Sequence, residues 1–99
     1  MKKVKISING RVQGVGFRYT TKQLADEIGI NGMVRNEADG SVYIEAVGED
    51  QKIDSFVERL KEGPTPFAKV EQISVKEDAS LQNFISFKIG NWNQWNTHV

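Results

Sequence analysis

Two stretches of the chain concentrate residues that could do chemistry without a nucleophile or a metal. The first is Gly10-Arg11-Val12-Gln13-Gly14-Val15-Gly16-Phe17-Arg18, which follows an alternating segment and leads into a helical one. The backbone N–H groups from Gln13 to Arg18 stand where a helix begins. Orphan donors of this kind, backed by the helix dipole, make an anion site. Gly14 and Gly16 allow the positive φ angles and close backbone approach that a cradle needs. Arg18 falls in the first helical turn, at the unfavourable end of the dipole for a cation. An anion bridging loop and guanidinium relieves that conflict, and phosphate suits arginine because it can be held bidentately. Taken alone, the loop and arginine are read more simply as a tight turn followed by a solvated surface charge. Gly14-Val15-Gly16-Phe17-Arg18-Tyr19 has tyrosine where G-x-G-x-x-G needs its last glycine, and no G-x-x-x-x-G-K-[ST] occurs. A small phosphate is therefore expected rather than a nucleotide. The second candidate is Asn36, read either as a positioned amide or as a cap of the turn after it.

What the chain lacks narrows the chemistry further. It has 99 residues, 13 Lys+Arg against 13 Asp+Glu, no cysteine and one histidine, His98, beside the last residue. Without cysteine there is no disulfide framework, thiolate metal site or cysteine nucleophile. A Ser-His-Asp triad or multi-histidine metal site is not expected from a histidine at a chain end. Zero net charge argues against a general nucleic-acid binder. No span approaches the roughly 18 apolar residues of a membrane helix, and Met1-Lys2-Lys3-Val4-Lys5-Ile6-Ser7 alternates rather than forming a signal core. The expectation is a single cytoplasmic domain, over 1–90, with a tail over 91–99.

The elements that must position these residues can be read from periodicity. Val4, Ile6 and Ile8 alternate as in a half-buried strand. Phe17, Thr21, Leu24, Ala25 and Ile28 recur at helical spacing up to Gly29, with Thr20 on the flank. Strands over about 32–37 and 41–47 are joined through Ala38-Asp39-Gly40, a hairpin signal. A three-residue loop with Gly40 left-handed places Val34 and Asn36 beside Val42, Ile44 and Ala46, whereas a two-residue loop would exchange the faces. Arg35 then faces away, as a surface charge.

Ile53, Phe56, Val57 and Leu60 define a second helix over about 51–62, capped by Asp50 and ended by Gly63-Pro64. A strand over about 69–76 with a bulge, and a last short strand with Ile85, Phe87 and Ile89, complete the chain. This order, βαββαβ plus a C-terminal strand, predicts an α+β class, ferredoxin-like α/β sandwich with two helices on one face of a mainly antiparallel sheet. In that topology the first two strands run parallel, so the glycine loop and Asn36 converge at one sheet edge.

Gly10 to Arg18, together with Gly32-Met33-Val34-Arg35-Asn36-Glu37-Ala38-Asp39-Gly40-Ser41-Val42, resembles the two signature segments of the acylphosphatases, and the resemblance covers about residues 3–89. It implies hydrolysis of a carboxyl–phosphate anhydride to carboxylate and phosphate. It implies the phosphate-binding arginine at Arg18, a backbone cradle at Gln13, Gly14, Val15, Gly16, Phe17 and Arg18, and a water-orienting asparagine at Asn36. Metal and cofactor are none. The implied partner is a small acyl phosphate, with inorganic phosphate as product, and a monomer is expected. Arg11, Tyr19 and Lys22 are expected to tune the local field only.

Departures are local. Met33 stands where tryptophan is frequent. In some relatives the terminal carboxylate contacts the arginine, and the longer ending Gly90 to Val99, with Trp92 and Trp95 expected to pack on a sheet edge, departs from that. The competing reading is a non-catalytic ferredoxin-like module binding phosphate or RNA. Against RNA, Ser41 to Val47 offers only Tyr43 for stacking.

Overall fold

In the computed structural model, which describes residues 1–91, the chain forms β1 (Lys2–Arg11), α1 (Phe17–Ile28), β2 (Asn31–Asn36), β3 (Val42–Gly48), α2 (Asp50–Glu62), β4 (Lys69–Glu77) and β5 (Phe87–Asn91). Trp92, Trp95 and His98 lie outside the described residues. The strands make one sheet in the order β4-β1-β3-β2-β5. All neighbours are antiparallel except β2 and β5, which are parallel. Since β3 runs opposite to both β1 and β2, these two are parallel, as the element order requires.

Burial follows the alternation. Val4, Ile6 and Ile8 of β1, Val34 of β2 and Val42, Ile44 and Ala46 of β3 are fully buried in one cluster with Phe17, Leu24 and Ala25 of α1 and Ile53, Phe56 and Leu60 of α2. Both helices therefore cover one face of the sheet. Phe56 meets Phe87 edge-to-face at 6.1 Å, joining α2 to β5 through a favoured aromatic geometry. On the other face Met33 and Val47 are buried outside that cluster.

The hairpin has the expected three-residue loop. Asn36 pairs with Val42, the Glu37 N–H donates to the Ser41 carbonyl, and Gly40 has φ 94°. The expected bulge lies opposite Asn9 and Gly10, which pair with Gln72 and Val70 and leave Glu71 between them.

Three expectations change. Asp50 is the first residue of α2, not its cap; Glu49 holds the cap position in extended backbone, with no side-chain bond. Ile85 is 92% exposed and precedes β5, because β2 pairs with β5 only from Gly32 opposite Phe87 onward. Arg35 does face away from Asn36, but it is not a freely solvated charge. Its guanidinium lies 4.8 Å from the centre of the Tyr43 ring and reaches Glu37 Oε1 at 3.3 Å, because Arg35 and Tyr43 are cross-strand partners.

Candidate active site

The β1–α1 loop is tethered at Val12, which is almost fully buried, and then swings outward. Gly14 and Gly16 adopt φ 74° and 77°, and at both positions a Cβ would enter open space. Backbone conformation, not lack of room, is what calls for glycine here. Gly16 occupies the cap position of α1 without a side-chain cap, and the first turn contains no acidic residue. Among the described residues, no backbone carbonyl accepts from the N–H groups of Gln13 to Arg18. These donors and the dipole of α1 are left for an anion.

Arg18 projects from the first turn of α1 toward β5, where its Nη1 donates to the Gly90 carbonyl at 2.8 Å. One turn later Lys22 donates to the Phe87 carbonyl at 3.0 Å and pairs with Asp26. The edge carbonyls of β5 thus take two cations of α1. This offsets the cost of a positive charge near a helix start and holds one edge of the guanidinium in place.

Asn36 ends β2, and its carboxamide oxygen is buried with no hydrogen-bond partner among the described residues. An amide used only as a turn cap would have spent that acceptor, whose burial unpaired costs about 1–3 kcal/mol. The hairpin is shaped elsewhere: the Asp39 carboxylate accepts from the Ser41 hydroxyl and from the Ser41 N–H, which lowers the Asp39 pKa.

Gly14, Gly16, Arg18 and Asn36 line one cavity of about 290 Å³, with Val12, Phe17, Tyr19 and Ile89 as its apolar wall. Tyr19 is 63% exposed at this cavity. Sequence reading brought the loop, Arg18 and Asn36 together. It missed Ile89 as a wall, and it missed the Gly90 carbonyl, which as a backbone atom leaves no mark in residue type. A groove of about 320 Å³ between the helices, lined by Glu27, Arg59 and Glu62 among others, gathers charges of both signs rather than backbone donors.

The acylphosphatase family model matches residues 4–89. The chain belongs to the acylphosphatase family. It is 50% identical over 91 residues to the acylphosphatase of Lactiplantibacillus plantarum, covering 92% of this chain and all of that one. It is 49% identical over 89 residues to the acylphosphatase of Oceanobacillus iheyensis, covering 90% of this chain and 98% of the other. The crystal structure of acylphosphatase from Bacillus subtilis superposes with a TM-score of 0.86 at 46% identity, over 91% of this chain and 99% of that one. With such relatives the chain is a hydrolase of the acylphosphatase class on a ferredoxin-like fold. Membership implies a small acyl phosphate as substrate and phosphate as product. Among the described residues no helix is long and apolar enough to cross a membrane.

Proposed function

We propose that this acylphosphatase hydrolyses the carboxyl–phosphate bond of small acyl phosphates without a metal ion, using Arg18 and Asn36 as catalytic residues and the loop from Gln13 to Arg18 as the phosphate cradle. One observation carries this reading: bare backbone donors, an anchored guanidinium and a carboxamide with an unmet acceptor converge on one cavity. The loop N–H groups and Arg18 take the phosphoryl oxygens. Arg18 has spent one N–H on Gly90, which leaves the rest of its fork for the anion.

Asn36 aligns a water on the phosphorus. It cannot abstract a proton at neutral pH, so its part is orientation. The water oxygen bonds to phosphorus as the bond from phosphorus to the acyl oxygen breaks. The electron pair leaves with the carboxylate, and the water proton passes to a phosphate oxygen. A carboxylate is a weak base and departs without a general acid. Positioning and charge stabilisation supply most of the catalysis in phosphoryl transfer.

Residues 1–90 form the catalytic domain in this proposal, with 91–99 as a tail. The protein acts in the cytoplasm as a monomer, and its balanced charge supports a role without nucleic acid. The test is phosphate release from benzoyl phosphate in excess chelator, for wild type and Asn36→Ala. Wild type turns over; Asn36→Ala keeps only a small residual turnover, which inorganic phosphate still inhibits. Wild-type protein that binds phosphate without turnover makes the chain a binding module instead. Loss of phosphate inhibition in folded Asn36→Ala overturns the division of roles.

A further inference from the structure

The Gln13 side chain does something that its place in the cradle does not require. Its Nε2 donates to the Glu37 carbonyl at 2.9 Å and to the Ser41 carbonyl at 2.8 Å, across 24 and 28 residues of chain. Those two carbonyls form the neck of the β2–β3 hairpin. The Ser41 oxygen already accepts from the Glu37 N–H at 2.8 Å, and the Glu37 oxygen from the Gly40 N–H at 3.1 Å. Both amide hydrogens of Gln13 are therefore used at one point, one residue beyond Asn36.

We infer that the Gln13 side chain is a positioning residue: its double hydrogen bond to the Glu37 and Ser41 carbonyls sets Asn36 against the phosphate cradle. This rests on the reading of cradle and Asn36 as two halves of one site. Without the strap, no other side-chain hydrogen bond among the described residues ties the loop to the hairpin neck, and the halves stay connected through the sheet and through the Arg18 bond to Gly90 of β5. The cradle can then still bind phosphate, while the water held by Asn36 is out of line with the phosphorus. A displacement of about 1 Å between reacting groups costs on the order of 100-fold in rate. The chemistry also fixes the residue type. Asparagine is one methylene shorter, and an ionised glutamate would set a carboxylate against two carbonyl oxygens with nothing to donate.

The experiment measures kcat and KM for benzoyl phosphate, the inhibition constant of inorganic phosphate, and thermal unfolding. The proteins are wild type, Gln13→Ala, Gln13→Glu, Asn36→Ala and the double variant Gln13→Ala/Asn36→Ala. Gln13→Ala is expected to lower kcat about 10–100-fold, with phosphate inhibition within about 3-fold of wild type. In the Asn36→Ala background the same change should lower residual turnover by no more than about 2-fold, because a residue acting through Asn36 has nothing left to position. Gln13→Glu should regain kcat as the pH falls and its carboxyl becomes a donor, which tests the idea even if Gln13→Ala fails to fold.

Multiplicative losses in the double variant overturn the proposal. So does phosphate inhibition that weakens in step with kcat, or a Gln13→Glu profile without the acid-side gain. Wild-type turnover in Asn36→Ala sinks the site reading as a whole. An unaltered kcat in Gln13→Ala sinks this inference alone.

Discussion

Replacing Arg18 separates its hydrogen bond to Gly90 from its proposed part in binding phosphate. Arg18→Ala removes a hydrogen bond to the carbonyl of Gly90, a buried residue, worth about 1 kcal/mol for a partly exposed donor. It also removes a cation from the first turn of α1, which returns about 0.3–1 kcal/mol. The two nearly cancel, so the melting temperature should move by no more than about 4–8 °C, the shift that 1 kcal/mol produces in a domain of this size. Catalysis has no such offset. Removing the one charged donor that the described residues bring to the cavity should lower kcat/KM by at least ~100-fold, as for other donors to developing charge. Arg18→Lys keeps the charge as a point on a flexible stem, which serves either the Gly90 carbonyl or the phosphate but not both in fork geometry. A loss of about 10–100-fold is expected for it. The assay is phosphate release from benzoyl phosphate in chelator, paired with thermal unfolding of each variant. If Arg18→Ala keeps more than about a tenth of kcat/KM, or loses activity only as it unfolds, Arg18 is a clip between α1 and β5 and the charge argument fails.

Other expectations concern the frame around the site. A Cβ at Gly32 would sit 1.8 Å from the Glu45 carbonyl oxygen, in backbone at φ 152°. Gly32→Ala should therefore lose about 3 kcal/mol or fail to fold, read as the denaturant midpoint; a loss below about 1 kcal/mol would show that β2 and β3 can separate there. Thr21 is fully buried and its hydroxyl has no partner among the described residues, so Thr21→Val should gain about 1 kcal/mol, and a net loss would reveal a bond to that hydroxyl. Asp78 accepts from the Ser80 hydroxyl, from Lys5 at 3.0 Å and from the Ser80 N–H, and together these hold its pKa at about 2, below the ordinary 3.8. The folded state thus binds fewer protons there than the unfolded chain. That contribution is complete above about pH 4 and is lost as the pH falls toward 2. Chemical unfolding should show a shallower fall over that window for Asp78→Asn than for wild type, and parallel curves would remove Asp78 from the account.

The chain's local patterns carried much of this structure. Alternation in Val4, Ile6 and Ile8 and the helical spacing of Ile53, Phe56 and Leu60 named the faces that are buried, because a strand repeats every two residues and a helix every 3.6. The facing of Asn36 followed from loop length, since one residue more or less in the Ala38-Asp39-Gly40 turn would have turned its side chain to the other side of the sheet. Ile85 misled for the opposite reason: its alternation with Phe87 and Ile89 is genuine, but a strand exists only where a partner pairs with it, and β2 begins to do so opposite Phe87.

The sequence by itself thus determined the order of elements, the buried faces, the donor-rich loop and the edge at which loop and Asn36 meet. All of these depend on residues close along the chain or on the parallel sense of β1 and β2. Only the tertiary structure decided that the Gly90 carbonyl, 72 residues away, holds Arg18, that Gln13 straps the loop to the hairpin neck, and that Arg35 stacks on Tyr43. Each is a contact to a backbone oxygen or across a strand pair. A carbonyl is the same in every residue, so nothing in the composition of β5 or the hairpin marks which one will accept. The pairing register of β2 with β5 and of β2 with β3 makes that choice.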